Sequence, residues 1–142
     1  HKKQWCQNYT TTHQLSNCHF YPYFDKKDLP KLLATANVGL VSLNESQWGL
    51  SVPSKAIGIM AANRPIIGIM PSQSELSHLI TENQCGIIVP NGNSSALSQA
   101  ITQLYNSPET TKEMGQNGHR LINESHTLYH TGKFFKKLLY FS

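Results

Sequence analysis

Three short apolar runs set the pattern of this chain: Val38 to Leu43, Pro65 to Met70 and Gly86 to Val89. Each is apolar at successive positions, so each offers hydrophobic side chains to both faces of a sheet. Runs of that kind, separated by helical segments, predict parallel strands covered on both sides. The intervals between them carry the helical period. Leu29, Leu32, Leu33 and Ala36 recur at i, i+3, i+4, i+7 behind the acids Asp25 and Asp28, with Pro30 in the first turn and Asn37 closing the helix. A second helix is expected from about Ser54 to Ala62. Ser72-Gln73-Ser74-Glu75 reads as a capping box for a third, which carries Leu76, Leu79 and Ile80 and ends near Asn83. After the turn Pro90-Asn91-Gly92-Asn93, capped by Asn93 or Ser94, comes a stripe of Leu97, Ala100, Ile101, Leu104 and Tyr105. Ser107-Pro108-Glu109 opens another helix, on which Met114, Gly115, Gly118, Leu121 and Ile122 share a face. A last helix is expected from about Thr127 to Phe141.

Upstream the pattern weakens. Residues 1–17 are polar, with Trp5 and Cys6 reading as the end of a helix whose start is missing. Cys18-His19-Phe20-Tyr21 has strand-like content, which Pro22 ends or confines to an edge. The alternation of strands and helices predicts an α/β fold, a Rossmann-like parallel sheet with flanking helices and a C-terminal helical extension. The length of 142 residues favours a single domain. Its sheet and helices are expected over about 18–125 and the closing helix over about 127–141.

Composition removes several classes. No apolar run approaches the roughly 20 residues of a membrane span. The first residues, His1-Lys2-Lys3-Gln4, have no apolar core behind them, so no signal peptide is read. With no initiator methionine either, the chain is expected to be a processed product or a piece of something longer. A net charge of +4 on a chain only 14% charged is a mild bias that suits a phosphate-bearing ligand. The lysines are dispersed apart from Lys26-Lys27 and the tail, which argues against nucleic acid. The 3 cysteines, Cys6, Cys18 and Cys85, show no C-x-x-C spacing and read as reduced thiols in the cytoplasm. The sequons at Asn8, Asn44, Asn93 and Asn123 arise by chance in a chain this rich in Asn, Ser and Thr.

The candidate chemistry gathers in Gly49-Leu50-Ser51-Val52-Pro53-Ser54-Lys55, between the first apolar run and the helix that follows. The carboxyl end of a strand meets the amino end of a helix there, where open α/β sheets bind ligands. Unpaired N–H groups and the positive end of the helix dipole favour an anion, and Lys55, Ser51 and Ser54 add to them. The bland alternative is a connection that uses glycine to turn and Pro53 to start a helix. The loop has neither G-x-G-x-x-G nor a Walker A pattern.

The run "DLPKLLATANVGLVSLNESQWGLSVPSKAIGIMAANRPIIGI" resembles the C-terminal domain of two-domain (GT-B) glycosyltransferases of the large family-4 group. "SELSHLI", "CGIIVPNGNSSALSQAI" and "SPETTKEMGQNGHRLI" are similar to that domain's later strand and helices, so the likeness covers about Asn17 to Leu139. Its most specific part is V-P-S-K followed by A-A-x-R-P. The resemblance implies a nucleotide-diphosphate-sugar donor, retention of anomeric configuration, no obligatory metal or other cofactor, and an N-terminal acceptor domain across a cleft. By position it implies that Gly49, Leu50 and Ser51 meet the donor's diphosphate or sugar, with Ser54 and Lys55 facing the same site. Tyr23, Phe24 and Asp25 match the place where the base is held. Many members carry two glutamates eight positions apart, one on the sugar and one on the ribose hydroxyls. Here the ribose position falls on Gly58, and the only acid of the loop and helix is Glu45. Some branches with V-P-S-K also have glycine at that position.

The same resemblance implies an upstream βα unit whose Arg and Lys clamp the diphosphate, and nothing before Cys18 matches it. In the usual strand order 3-2-1-4-5-6 the segment His19 to Tyr21 would be the third strand, with strands one and two absent. The expectation is therefore the donor-binding part of a glycosyltransferase that transfers no sugar by itself, acting on a saccharide or lipid-linked acceptor in polysaccharide biosynthesis. Two alternatives stay open: a non-catalytic nucleotide-binding remnant or accessory domain, and a sugar-nucleotide epimerase-like domain, which would want more acids and histidines around the loop. The genomic sequence immediately upstream would separate an enzyme fragment from a remnant.

Other features read as structural. His126 and His130 stand at i, i+4 near His119, but no third ligand has metal spacing. Cys18 and His19 are strand neighbours that point apart, a buried thiol and an edge imidazole. The tail Lys133-Phe134-Phe135-Lys136-Lys137-Leu138-Leu139-Tyr140-Phe141 is a closing helix packed on the protein or, alternatively, a peripheral contact with the inner face of the membrane.

Overall fold

A computed structural model describes residues 2–25, 27–44 and 52–125. Their elements run α1 (Lys2–Thr12), α2 (Leu29–Thr35), β1 (Gly39–Ser42), α3 (Ser54–Ala61), β2 (Ile66–Ile69), α4 (Glu75–Glu82), β3 (Gly86–Val89), α5 (Ser94–Asn106) and α6 (Pro108–Ser125). The strands form one parallel sheet in the order β1-β2-β3, with Leu40, Ile67 and Ile87 in register and Val41, Gly68 and Ile88 beside them. This is the expected Rossmann-like α/β arrangement. The expected closing helix lies outside the described residues.

Alternate residues of β2 feed two cores, as the pleat requires. Ile66 packs with Ile59, Met60, Leu76, Ile80, Cys85 and Ile122, so α3, α4 and α6 share one face of the sheet. Ile67 packs with Val89, Ala100 and Leu104 under α5 on the other. The glycines of α6 let it come close: Gly118 would place a Cβ 3.0 Å from Met60 Cγ. Asn63 makes the turn from α3 into β2 in the left-handed region (φ 61°), which asparagine tolerates better than most residues. Arg64 then donates from its guanidinium to the Ala34 carbonyl at the end of α2, and Pro65 is buried. A-A-N-R-P is thus a structural corner at the amino end of β2.

Several expectations need correction. Cys18 to Tyr21 is not a strand; the segment is irregular and exposed. A strand persists where another satisfies its N–H and C=O groups, and among the described residues none lies alongside. Instead Lys3 Nζ donates to Tyr21 O at 3.2 Å. Cys18 is consequently exposed, not buried. Trp5 and Cys6 do not end a helix, because α1 runs on past them to Thr12. On α1 the rings of Trp5 and Tyr9 are 5.5 Å apart and those of Tyr9 and His13 3.9 Å, a stacked ladder at i, i+4, i+8.

The first apolar run is covered unevenly: Val41 is buried in the larger core and Val38 packs against the second, but Leu40 is 45% exposed because α5 packs over β2 and β3. On α5 the wide stripe narrows to Leu97, Ala100 and Leu104, while Ile101 and Tyr105 are exposed. The cap of α4 is Ser74, whose Oγ accepts from the Ser77 amide at 3.2 Å, rather than Ser72. Asn93 caps α5 through its bond from the Ala96 amide at 2.9 Å. Among the described residues no helix is long and apolar enough to cross a membrane.

Candidate functional site

The amino end of α3 lies on the carboxyl side of β1. The helix is held from below, with Ala56, Ile59 and Met60 buried in the larger core. Its exposed first turn carries Ser54 and Lys55 and no acid. Pro53 starts it in extended conformation (ψ 135°) and has no side chain to cap it. The Pro53 carbonyl accepts from the Ala56 amide at 2.9 Å. The amides of Ser54 and Lys55 find no acceptor among the described residues, as at an uncapped helix start. Two N–H groups, a hydroxyl, an ammonium and the positive end of a helix therefore meet at one corner, an arrangement suited to an oxyanion.

Gly58 stands one turn further along α3, where an added Cβ would lie 3.3 Å from Leu33 Cδ1 of α2. That position faces the α2–α3 contact. Tyr23, Phe24 and Asp25 precede α2. Tyr23 is fully exposed, the Phe24 ring sits 6.2 Å from Tyr21, and Asp25 pairs with Lys27 at 3.6 Å on the surface. No hydrogen bond or ion pair among the described residues ties this trio to Ser54 or Lys55. Glu45, Gly49, Leu50 and Ser51 lie outside the described residues, as do His126, His130 and the basic aromatic tail.

Asn91, which the sequence offered only as a turn residue, reaches across the sheet. Its Nδ2 donates to the Leu43 carbonyl oxygen at 3.2 Å, joining the ends of β3 and β1. The signal was present in its placement two residues past a strand's carboxyl end. Among the described residues no group of three His, Cys, Asp or Glu side chains could hold a metal ion. His119 instead shares a surface hydrogen bond with Asn123 Nδ2 at 3.1 Å. Burial pushes the Cys85 thiol up from 9.0 to about 11, which keeps it protonated and inert.

A three-stranded parallel sheet flanked by helices, with a basic helix start at a strand's carboxyl end, is an α/β Rossmann-like arrangement. Over residues 1–121 the chain matches the family described as "Glycosyl transferases group 1", and it belongs to that family. The match takes in α1 and stops at Leu121, so it starts earlier and ends sooner than the resemblance over about Asn17 to Leu139. The chain is also similar to the "Probable glycosyltransferase WbjE" of Pseudomonas aeruginosa, 40% identical over 72 residues. That alignment covers 51% of this chain and 18% of that protein, so the chain spans a small part of the relative's length. No solved structure matches it.

Proposed function

We propose that this chain is the donor-binding part of a glycosyltransferase, holding a nucleotide-diphosphate sugar for transfer to a saccharide or lipid-linked acceptor. Membership of the family supports glycosyl transfer in general. The observation that carries the finer reading is the exposed, uncapped and cationic amino end of α3. As the glycosidic bond breaks, the departing nucleoside diphosphate gains negative charge. Amides and a cation already aimed at that charge stabilise the transition state more than the ground state.

In this reading Ser54 and Lys55 face the diphosphate. Glu45, Gly49, Leu50 and Ser51 line the same donor, with Tyr23, Phe24 and Asp25 toward its base. Gly58 leaves the ribose hydroxyls to other groups. Transfer proceeds with retention and calls for no metal. An acceptor domain completes the site, and the basic tail gives a peripheral contact with the cytoplasmic face of a membrane. Titration of UDP and GDP into the chain, followed by amide chemical shifts, tests the assignment. Shifts at Ser54 and Lys55 are expected. Shifts confined to other elements, or none, would remove the donor reading.

A further inference from the structure

A cleft of about 750 Å³ opens where α4 runs beside the carboxyl ends of β2 and β3, within the size range of small-ligand sites. Its floor is Met70, Ser77 and Ile88; Met70 is fully buried and Ser77 is 3% exposed. Gln73, Glu82 and Asn91 form the rim. The donor assignment uses none of these residues. Asn91 on this rim also hydrogen-bonds Leu43 at the end of β1, the strand that precedes the donor loop in the chain.

The lining selects a ligand chemistry. It contains no Lys or Arg, and its one titratable base is His78 on the exposed side of α4. A phosphate or carboxylate would therefore meet Glu82 without a fixed cation to offset it. A neutral polyol meets suitable partners. Gln73 can accept and donate, Glu82 accepts, and Asn91 keeps its Oδ1 free for a hydroxyl while Nδ2 serves Leu43. Half-buried Ile88 and Pro71, with exposed Pro90, offer apolar surface to the C–H face of a pyranose. We propose that this cleft is a saccharide subsite, binding one neutral sugar ring of the acceptor beside the donor corner. The choice of a sugar rests on the glycosyl-transfer reading above; the place and the preference for a neutral ligand rest on the lining.

The test uses the whole chain, labelled for amide and methyl shifts, and two probes. The first is a panel of neutral methyl glycosides of glucose, galactose, N-acetylglucosamine and rhamnose; the second is UDP. At least one glycoside is expected to shift Met70, Ser77 and Ile88, with or without saturating UDP. Gln73→Ala is expected to weaken that binding roughly five- to tenfold, the size of one lost hydrogen bond. Ser77→Leu fills the floor and is expected to abolish it; if that variant does not fold, exposed Gln73→Ala decides. No shift from any glycoside at its solubility limit, shifts located only at Ser54 and Lys55, or undiminished binding by Gln73→Ala would overturn the subsite. UDP shifts that persist while glycoside shifts are absent sink this inference alone. The reverse pattern leaves the cleft standing and removes the donor assignment.

Discussion

Gly115 of α6 rides directly over the carbonyl of Asn63: a Cβ at Gly115 would lie 2.5 Å from that oxygen. The neighbour is backbone in a left-handed turn, held between α3 and β2, so it has little room to retreat. Gly115→Ala is expected to destabilise the protein by about 1–3 kcal/mol, the range for overpacking a tight contact. Gly118→Ala meets Met60 Cγ at 3.0 Å, a flexible side chain that can move aside. It should cost about 1 kcal/mol or less. Urea unfolding of the two variants checks the order; equal midpoints would mean that α6 shifts freely and the close approach is not specific.

The start of α4 gives a sharper contrast. Ser74 Oγ accepts from the Ser77 amide, whereas Ser72 lies exposed ahead of the helix. Ser74→Ala should lower stability by about 1 kcal/mol, as loss of an N-cap does. Ser72→Ala should leave the unfolding midpoint unchanged. If Ser72→Ala were the damaging change, the cap assignment would be reversed.

That contrast shows what a sequence can and cannot say here. The S-x-x-E spacing correctly announced a helix start but pointed to Ser72, whereas Ser74 is the cap. Backbone geometry made the choice. The three apolar strands were legible because each is apolar at successive positions, although only β2 is buried along most of its length. The Cys18–Tyr21 segment failed for the complementary reason. Strand propensity describes how a residue fits beside a neighbour, and no neighbour lies alongside it among the described residues. Leu40 is exposed on the same account, since apolar content does not reveal which helix covers it.

The site was legible in kind more than in detail. Lys55 and Ser54 could be singled out from the sequence because they belong to a local strand–loop–helix pattern. Asn91 and the cleft beside α4 were missed because their partners are far away in the chain. The A-A-N-R-P motif, among the clearest marks of the family, lies at the amino end of β2, away from the strand ends where ligands bind. Its residues turn, cap and bury the chain.

The hydrogen bond from Asn91 to Leu43 is exposed, so its stabilising effect is small. Asn91→Ala should cost roughly 0.5–1 kcal/mol in unfolding. Asn91→Asp should cost about as much, because a carboxylate cannot donate to a carbonyl. The informative readout is the Leu43 amide and its neighbours: both variants should shift them, although residue 91 is remote in sequence. Silence at Leu43 would mean that the bond does not hold the end of β1.

Cys85 makes stability depend on pH with a definite sign. Its thiol is neutral when protonated, and burial raises its pKa from 9.0 to about 11. Below 9.0 both folded and unfolded chains keep the proton. Between 9.0 and about 11 the unfolded chain loses it while the folded chain retains it, so stability falls as pH rises through that window. Cys85→Ala should flatten this part of the profile. Below the window, exposed Cys6 and Cys18 should react with iodoacetamide well before Cys85. Equal rates for all three thiols would contradict the burial of Cys85.

Lys55 supplies the only cation on the described part of α3, at the exposed end of the helix. If it faces a diphosphate, Lys55→Ala should weaken UDP binding roughly tenfold at low salt, the effect of losing one charge-assisted hydrogen bond at an exposed site. The same change should hardly alter uridine binding, because the nucleoside brings no charge to that corner. Added salt should weaken UDP binding to the parent chain and have a smaller effect on the variant, since screening acts on an attraction the variant has lost. Lys55→Arg should recover most of the affinity, because the charge remains. UDP binding unchanged by Lys55→Ala would move the diphosphate away from α3.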